Sequence, residues 1–270
     1  MTNTFKSWLA AGLLCLPLGA ASQTTTVVAN DVAINGESFF GASNIRDELN
    51  RLARQAGVIG STGSFRQIAV SGAVMTQILG YYVNATPKPK YVISDGGGND
   101  LMSTCPAPAT VDCPKIQATL ATVRAYFDSM KTGGTEKVLW MRYPDPQGTQ
   151  WATLKTNQDL YNPAVKAICD SVKKPKCVWI DLRPTWEGHY AQYTTDGIHP
   201  TNAGGTATAE AFWKVLVDSS FFAAKTTALR PGARGLTAPG GSRLEARDLD
   251  GRLRQFETRT RARVRTAPSR

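Results

Sequence analysis

Histidine is nearly missing from this chain: two in 270 residues, His189 and His199. Imidazole acid–base chemistry near neutral pH must therefore use one of these two. Cysteine is also sparse, at five. No C-x-x-C occurs and neither histidine lies near a cysteine, so a structural zinc site finds no ligand set. Phosphate-cradling signatures are missing as well. The glycine run Gly96-Gly97-Gly98 has no G-K-[ST] after it and no G-x-G-x-x-G spacing. The apolar run Trp8–Leu18 is too short to span a bilayer. No internal repeat is visible. These gaps argue against metal, nucleotide and membrane-spanning functions, and no cofactor is expected.

Acidic residues are outnumbered, 21 against 31 Lys and Arg, for a net charge of +10. The imbalance is local. Eleven of the basic residues and four of the acidic ones fall in 230–270, so the rest of the chain carries only +3. A near-neutral body with a basic tail lacks the basic face of a nucleic-acid-binding domain. The tail is rich in Arg, Gly and Thr and poor in apolar residues, a composition of disorder. At the other end, Lys6, the apolar run and Gly19-Ala20-Ala21-Ser22 have the three parts of a cleaved secretory signal. The expected organisation is a signal peptide over 1–22, one domain over 23–229 and the tail over 230–270. The expected location is secreted or periplasmic, without a stable membrane anchor. Signal removal leaves Cys105, Cys113, Cys169 and Cys177. Four cysteines permit three pairings; the equal eight-residue separations favour two local loops, Cys105–Cys113 and Cys169–Cys177.

Along the body, short apolar runs alternate with amphipathic stretches. Residues 23–36 read as extended, and Glu37–Phe40 as a short strand entering Gly41-Ala42-Ser43-Asn44. Ile45, Leu49, Leu52 and Ala56 recur at helical spacing up to Gly57. Strands are predicted over Phe65–Val70, Lys90–Ser94, Lys137–Met141 and Cys177–Asp181. Helices are predicted from Ala73 to about Tyr82, along Ile116, Leu120, Val123 and Phe127, and from Asn162-Pro163 through Val165, Ile168 and Val172. Thr201-Asn202 caps a last helix carrying Ala209, Phe212 and Leu216. Five strands alternating with helices predict an α/β domain with a mainly parallel sheet. Functional loops in such sheets gather at the C-terminal ends of the strands.

The stretch with most chemistry is Asp196-Gly197-Ile198-His199-Pro200. A carboxylate three residues before an imidazole can hold one ring nitrogen and leave the other free as a base. His189 is the competitor, with Glu187 near it. Ser43 lies at an expected strand-to-helix turn, where it suits either a helix N-cap or a nucleophile facing the helix N-terminus. Gly41-Ala42-Ser43, Ser71-Gly72, Gly97-Gly98-Asn99-Asp100 and the Asp196–Pro200 stretch stand in order. Together they resemble the blocks of the SGNH (GDSL-type) hydrolases, from about Ser38 to Leu216.

That resemblance implies a three-layer α/β/α, flavodoxin-like fold and a serine esterase or lipase. It makes Ser43 the nucleophile, His199 the general base and Asp196 its orienting carboxylate. It makes the backbone amides of Ser43 and Gly72 and the side chain of Asn99 the oxyanion hole. Ala42 departs from the family's usual Gly-Asp-Ser, and Asn44 from the apolar residue after it. The expected substrate is a small-molecule or carbohydrate ester, with a short-chain acyl group or a lipid, handled by a monomer. An O-acyltransferase using the same acyl-enzyme is the alternative within the fold. A non-catalytic secreted binding module on a degenerate scaffold is the alternative outside it.

Overall fold

The apolar runs form a sheet because their residues alternate between two buried faces. The structure, a computed structural model, describes residues 27–222. The expected signal segment 1–22 and tail 230–270 lie outside the described residues. The strands are β1 (Val32–Asn35), β2 (Arg66–Gln67), β3 (Tyr91–Ser94), β4 (Lys137–Arg142) and β5 (Lys176–Asp181). All pair in parallel, in the order β2-β1-β3-β4-β5. This is the doubly wound, flavodoxin-like order, with a switch point between β1 and β3. The longer helices are α2 (Ile45–Gln55), α3 (Met75–Asn84), α4 (Pro114–Thr132), α5 (Ala152–Ser171) and α8 (Asn202–Asp218). Single turns form α1 (Ser38–Gly41), α6 (Arg183–Trp186) and α7 (Tyr190–Tyr193).

Val32, Ile34, Ile93, Leu139 and Met141 point to one side, under α2 and α8. Val92, Val138 and Trp140 point to the other, under α3, α4 and α5. The period of two along each strand splits the core into these halves. Burial on both faces also explains why the strands read as nearly continuous apolar runs.

Several elements depart from expectation. Glu37–Phe40 is no strand: β1 ends at Asn35, and Ser38–Gly41 turn as a helix. Phe39 and Phe40 are adjacent yet both buried, Phe39 against Tyr143 and Trp186, Phe40 against Phe212. A short apolar run suits a strand or a buried turn equally, and tertiary packing decides here. β2 is only two residues long, because the amides of Ile68 and Ala69 both donate to the Ile34 carbonyl and end the register. α5 begins ten residues before Asn162 and carries Pro163 in its interior. Leu154, Tyr161, Val165 and Ile168 keep a buried face through the proline. The Asn162 side chain donates to the Gln158 carbonyl at that point.

Other details follow the residues. Thr201 caps α8, its hydroxyl accepting from the Gly204 amide. Cys105 pairs with Cys113 and Cys169 with Cys177. Closing loops of this size stabilises a fold by about 2–3 kcal/mol each in the chain-entropy model. Among the described residues, no helix is long and apolar enough to cross a membrane.

Candidate active site

Four loops meet beyond the C-terminal ends of the strands, and β1 supplies the first. Gly36 is obligatory there, since a Cβ would lie 1.8 Å from Asp95 Oδ1. The chain then turns, and Ser38 becomes the first residue of α1. The Glu37 amide donates to Asp95 Oδ1 (2.9 Å), which pins this turn to the end of β3.

The loop before α8 supplies the histidine. Asp196 Oδ1 accepts the backbone amides of Ile198 (3.0 Å) and His199 (2.8 Å), closing a tight turn. Gly197 has φ +92°, and a Cβ there would sit 2.1 Å from the Gln147 carbonyl. The Gly197 carbonyl accepts from Gln147 N (2.9 Å), and Trp151 Nε1 donates to the Asp196 carbonyl (2.7 Å). The turn is thus clamped to the segment after β4.

This turn aims the imidazole. His199 Nδ1 lies 2.6 Å from Asp196 Oδ2, and Nε2 lies 2.9 Å from Ser38 Oγ. Burial alone would raise the Asp196 pKa. The His199 ring and the two amides outweigh that and hold it well below the usual carboxylate range. An ionised Asp196 makes Nδ1 the donor and leaves Nε2 free to accept the Ser38 proton.

The serine facing His199 is therefore Ser38, and Ser43 does not occupy that position. Ser43 Oγ donates to the Phe39 carbonyl (2.7 Å), one helical turn back, and accepts from the Ile45 amide (3.4 Å). It ties α1 to α2. The expected strand over 37–40 had put the strand-to-helix turn five residues too late. The string Gly36-Glu37-Ser38-Phe39 carries the signal that was missed. It keeps an acidic residue between glycine and serine, which Gly41-Ala42-Ser43 does not. The acidic residue expected of the family is thus present, as glutamate. His189 stacks on Tyr193, with ring centroids 5.1 Å apart; the imidazole at Ser38 belongs to His199.

The Gly97–Asp100 block wraps around Glu37. Glu37 is only 3% exposed. Its Oε1 accepts from Gly98 N (2.7 Å) and from the Tyr143 hydroxyl; its Oε2 accepts from Asn99 N (2.9 Å) and from Asn99 Nδ2. Asn99 Nδ2 also donates to the Ala73 carbonyl (3.0 Å), which places Asn99 beside the Ser71–Gly72 turn. Gly72 has φ +79° and open space where a side chain would be. That turn abuts α1, because a Cβ on Gly41 would lie 2.9 Å from Ser71 N. Asp100 Oδ2 accepts the Met75 amide at the start of α3. Burial holds the Glu37 carboxyl above its ordinary value, and its hydrogen bonds to Tyr143, Gly98 and Asn99 offset only part of that rise. Asp95, fully buried, is pushed well above the usual aspartate range by burial and then by the charge of Glu37. Burial likewise raises Tyr143, which also faces both carboxyls.

A cavity of about 120 Å³ opens on this group, with Ser38 and His199 in its wall. Met102, Pro144, Pro146, Trp151, Leu154 and Ile198 make it predominantly apolar. Trp140 and Trp186, by contrast, are core residues at 1% and 0% exposure. Among the described residues, no group of three or more His, Cys, Asp or Glu side chains is placed to hold a metal ion.

A doubly wound parallel sheet thus carries a serine, an imidazole and a carboxylate in line at its switch-point end. The GDSL-like lipase/acylhydrolase family model matches residues 20–207, and the chain belongs to that family. It is an ester hydrolase of the SGNH type. Among solved structures, Axe2, an acetylxylan esterase from Geobacillus stearothermophilus, is similar at 18% identity with a TM-score of 0.53. The match covers 70% of this chain and 96% of that one. LAE5, an alpha/beta hydrolase enzyme from the metagenome of Lake Arreo, Spain, is similar at 17% identity with a TM-score of 0.54, covering 68% and 93%. At these identities the likeness is one of fold. No curated protein matches the chain in sequence.

Proposed function

We propose that the protein is a secreted or periplasmic carboxylic-ester hydrolase that works through an acyl-enzyme on Ser38. The observation that carries this reading is the continuous line Asp196 Oδ2–His199 Nδ1 (2.6 Å) and His199 Nε2–Ser38 Oγ (2.9 Å). His199 takes the Ser38 proton as Oγ attacks the ester carbonyl, then returns it to the departing alcohol. Water, activated by the same imidazole, releases the acid. Negative charge on the carbonyl oxygen needs preset donors. The backbone amides of Ser38 and Gly72 and the amide of Asn99 are assigned that role. In the resting arrangement Asn99 Nδ2 spends one hydrogen on Glu37 and the other on the Ala73 carbonyl. Accepting an oxyanion means exchanging the Ala73 bond, a tightening common on passing from free enzyme to complex.

The apolar cavity beside Ser38 suits the acyl side of a short-chain ester. Acetylated carbohydrates join simple esters as candidate substrates, because the fold is shared with an acetylxylan esterase. The two local disulfides fit an oxidising compartment. Turnover of p-nitrophenyl acetate and butyrate, with fluorophosphonate labelling mapped by mass spectrometry, tests the reading. The label is expected on Ser38. A label on Ser43, or turnover with no labelled serine, would overturn the assignment.

A further inference from the structure

Glu37 is buried next to the proposed nucleophile, yet it touches neither Ser38 Oγ nor the His199 ring in any hydrogen bond described above. Its carboxylate instead collects four donors: Gly98 N, Asn99 N, Asn99 Nδ2 and Tyr143 Oη. Two donors on each oxygen occupy the acceptor positions of the carboxylate and favour its ionised form. Such a site holds a carboxylate in its acceptor-only form. The neighbouring Asp95 is the opposite case. Its Oδ1 accepts one amide, and its buried Oδ2 has no hydrogen-bond partner among the described residues. The geometry therefore puts the proton of this pair on Asp95 and the charge on Glu37.

The charge has a consequence for Asn99. An amide nitrogen carries two hydrogens in one plane. With one hydrogen held on an anionic acceptor, the direction of the second is determined. It points to the Ala73 carbonyl, the residue after Gly72. The two backbone amides of Gly98 and Asn99 fix the loop on the same carboxylate, so rotation of the whole loop is also blocked. Charge-assisted hydrogen bonds are about twice as strong as neutral ones, which suits a group whose task is orientation.

We propose that Glu37 is a positioning residue: its ionised side chain fixes one amide hydrogen of Asn99, so that the second, which rests on the Ala73 carbonyl, can be turned over to the oxyanion, and it holds the Gly98–Asn99 loop in register with Ser38. This inference rests on the reading of Ser38 and Asn99 under the proposed function. Glutamine in its place keeps the shape but accepts at one oxygen only. Its NH2 must then face either Gly98 N and Tyr143 Oη or the two Asn99 donors. Asn99 gains rotational freedom without any loss of substrate-binding surface in the apolar cavity.

A double-mutant cycle tests it, with kcat normalised to active sites counted by fluorophosphonate titration so that misfolded protein is not scored. Asn99→Ala is expected to lower kcat by about 10²–10³-fold, as removal of one oxyanion donor does. Glu37→Gln is expected to lower kcat by about 10–100-fold, as a small misplacement does, with KM changed less than about twofold. In the Asn99→Ala background, Glu37→Gln should cost less than about twofold, because the two act through one amide. Equal losses in both backgrounds would overturn the proposal, leaving Glu37 a general structural residue. A silent Asn99→Ala would overturn it too, by removing the donor it is said to aim. Retained turnover in Ser38→Ala would be a separate failure, that of the nucleophile assignment. If Glu37→Gln does not fold, Glu37→Asp takes its place in the cycle. It keeps the charge and withdraws it by one methylene, and the same non-additivity is expected.

Discussion

Ser38 and Ser43 are five residues apart on one short stretch, and their surroundings could hardly differ more. Ser38 opens a helical turn at the end of a central strand and faces an imidazole from 161 residues further along the chain. Ser43 closes the same turn and bonds to a carbonyl four residues back. One serine is served by long-range contacts, the other by local ones. A hydroxyl satisfied by its own backbone is a local brace. A hydroxyl whose partner is a histidine oriented by a carboxylate is poised for proton transfer.

The sharpest way to break this contrast is to remove each hydroxyl in turn. Ser38→Ala is expected to lower kcat by about 10⁵–10⁶-fold, as nucleophile loss does in serine hydrolases. Ser43→Ala is expected to stay within about threefold in kcat. Its cost should appear in thermal unfolding, at about 0.5–1.5 kcal/mol, the range for a lost intramolecular hydrogen bond. Comparable activities for the two variants would erase the distinction. Next in size is Asp196→Asn. It keeps the turn but presents a donor where His199 Nδ1–H needs an acceptor, and a loss of about 10⁴-fold in kcat is expected with KM little altered.

The smallest expected effect concerns the buried side of the same turn, where Glu37 and Asp95 meet. The folded-state pKa of Asp95 is raised, chiefly by burial, above the 3.8 of an ordinary aspartate. The folded state therefore holds this proton more tightly than the unfolded chain does. Its stabilising contribution is complete below pH 3.8 and is lost as pH rises through the raised value. Asp95→Asn cannot ionise, yet it can still accept the Glu37 amide. Melting temperatures followed from pH 4 to pH 9 should decline less in Asp95→Asn than in the wild type. An unchanged slope would mean that Asp95 is not the group responsible.

Much of this molecule was legible residue by residue. The Asp196–His199 turn is a local structure, closed by one carboxylate on amides two and three residues ahead, so its spacing is enough to read it. Thr201 as the cap of α8 is local in the same sense. The strands over 91–94 and 137–142 stand out because burial on both faces leaves an apolar run with no competing period. The two disulfide pairings follow from short loops. Ser38 was not legible in this way. Glu37-Ser38-Phe39-Phe40 has no period of its own, and its turn exists because Gly36 must clear Asp95 and Phe40 must reach Phe212. Pro163 misled for a related reason: its local cost says boundary, while the buried face of Leu154, Tyr161 and Val165 continues through it.

Composition and order alone determined the fold class, the two cysteine loops and the carboxylate–imidazole turn, since each depends on neighbours within a dozen residues or on strand-by-strand hydrophobicity. Which serine meets that imidazole, and which carboxylate gathers the Asn99 loop, were decided only in three dimensions. Both depend on where β1 stops against β3, and that stopping point is set by contacts between segments some sixty residues apart.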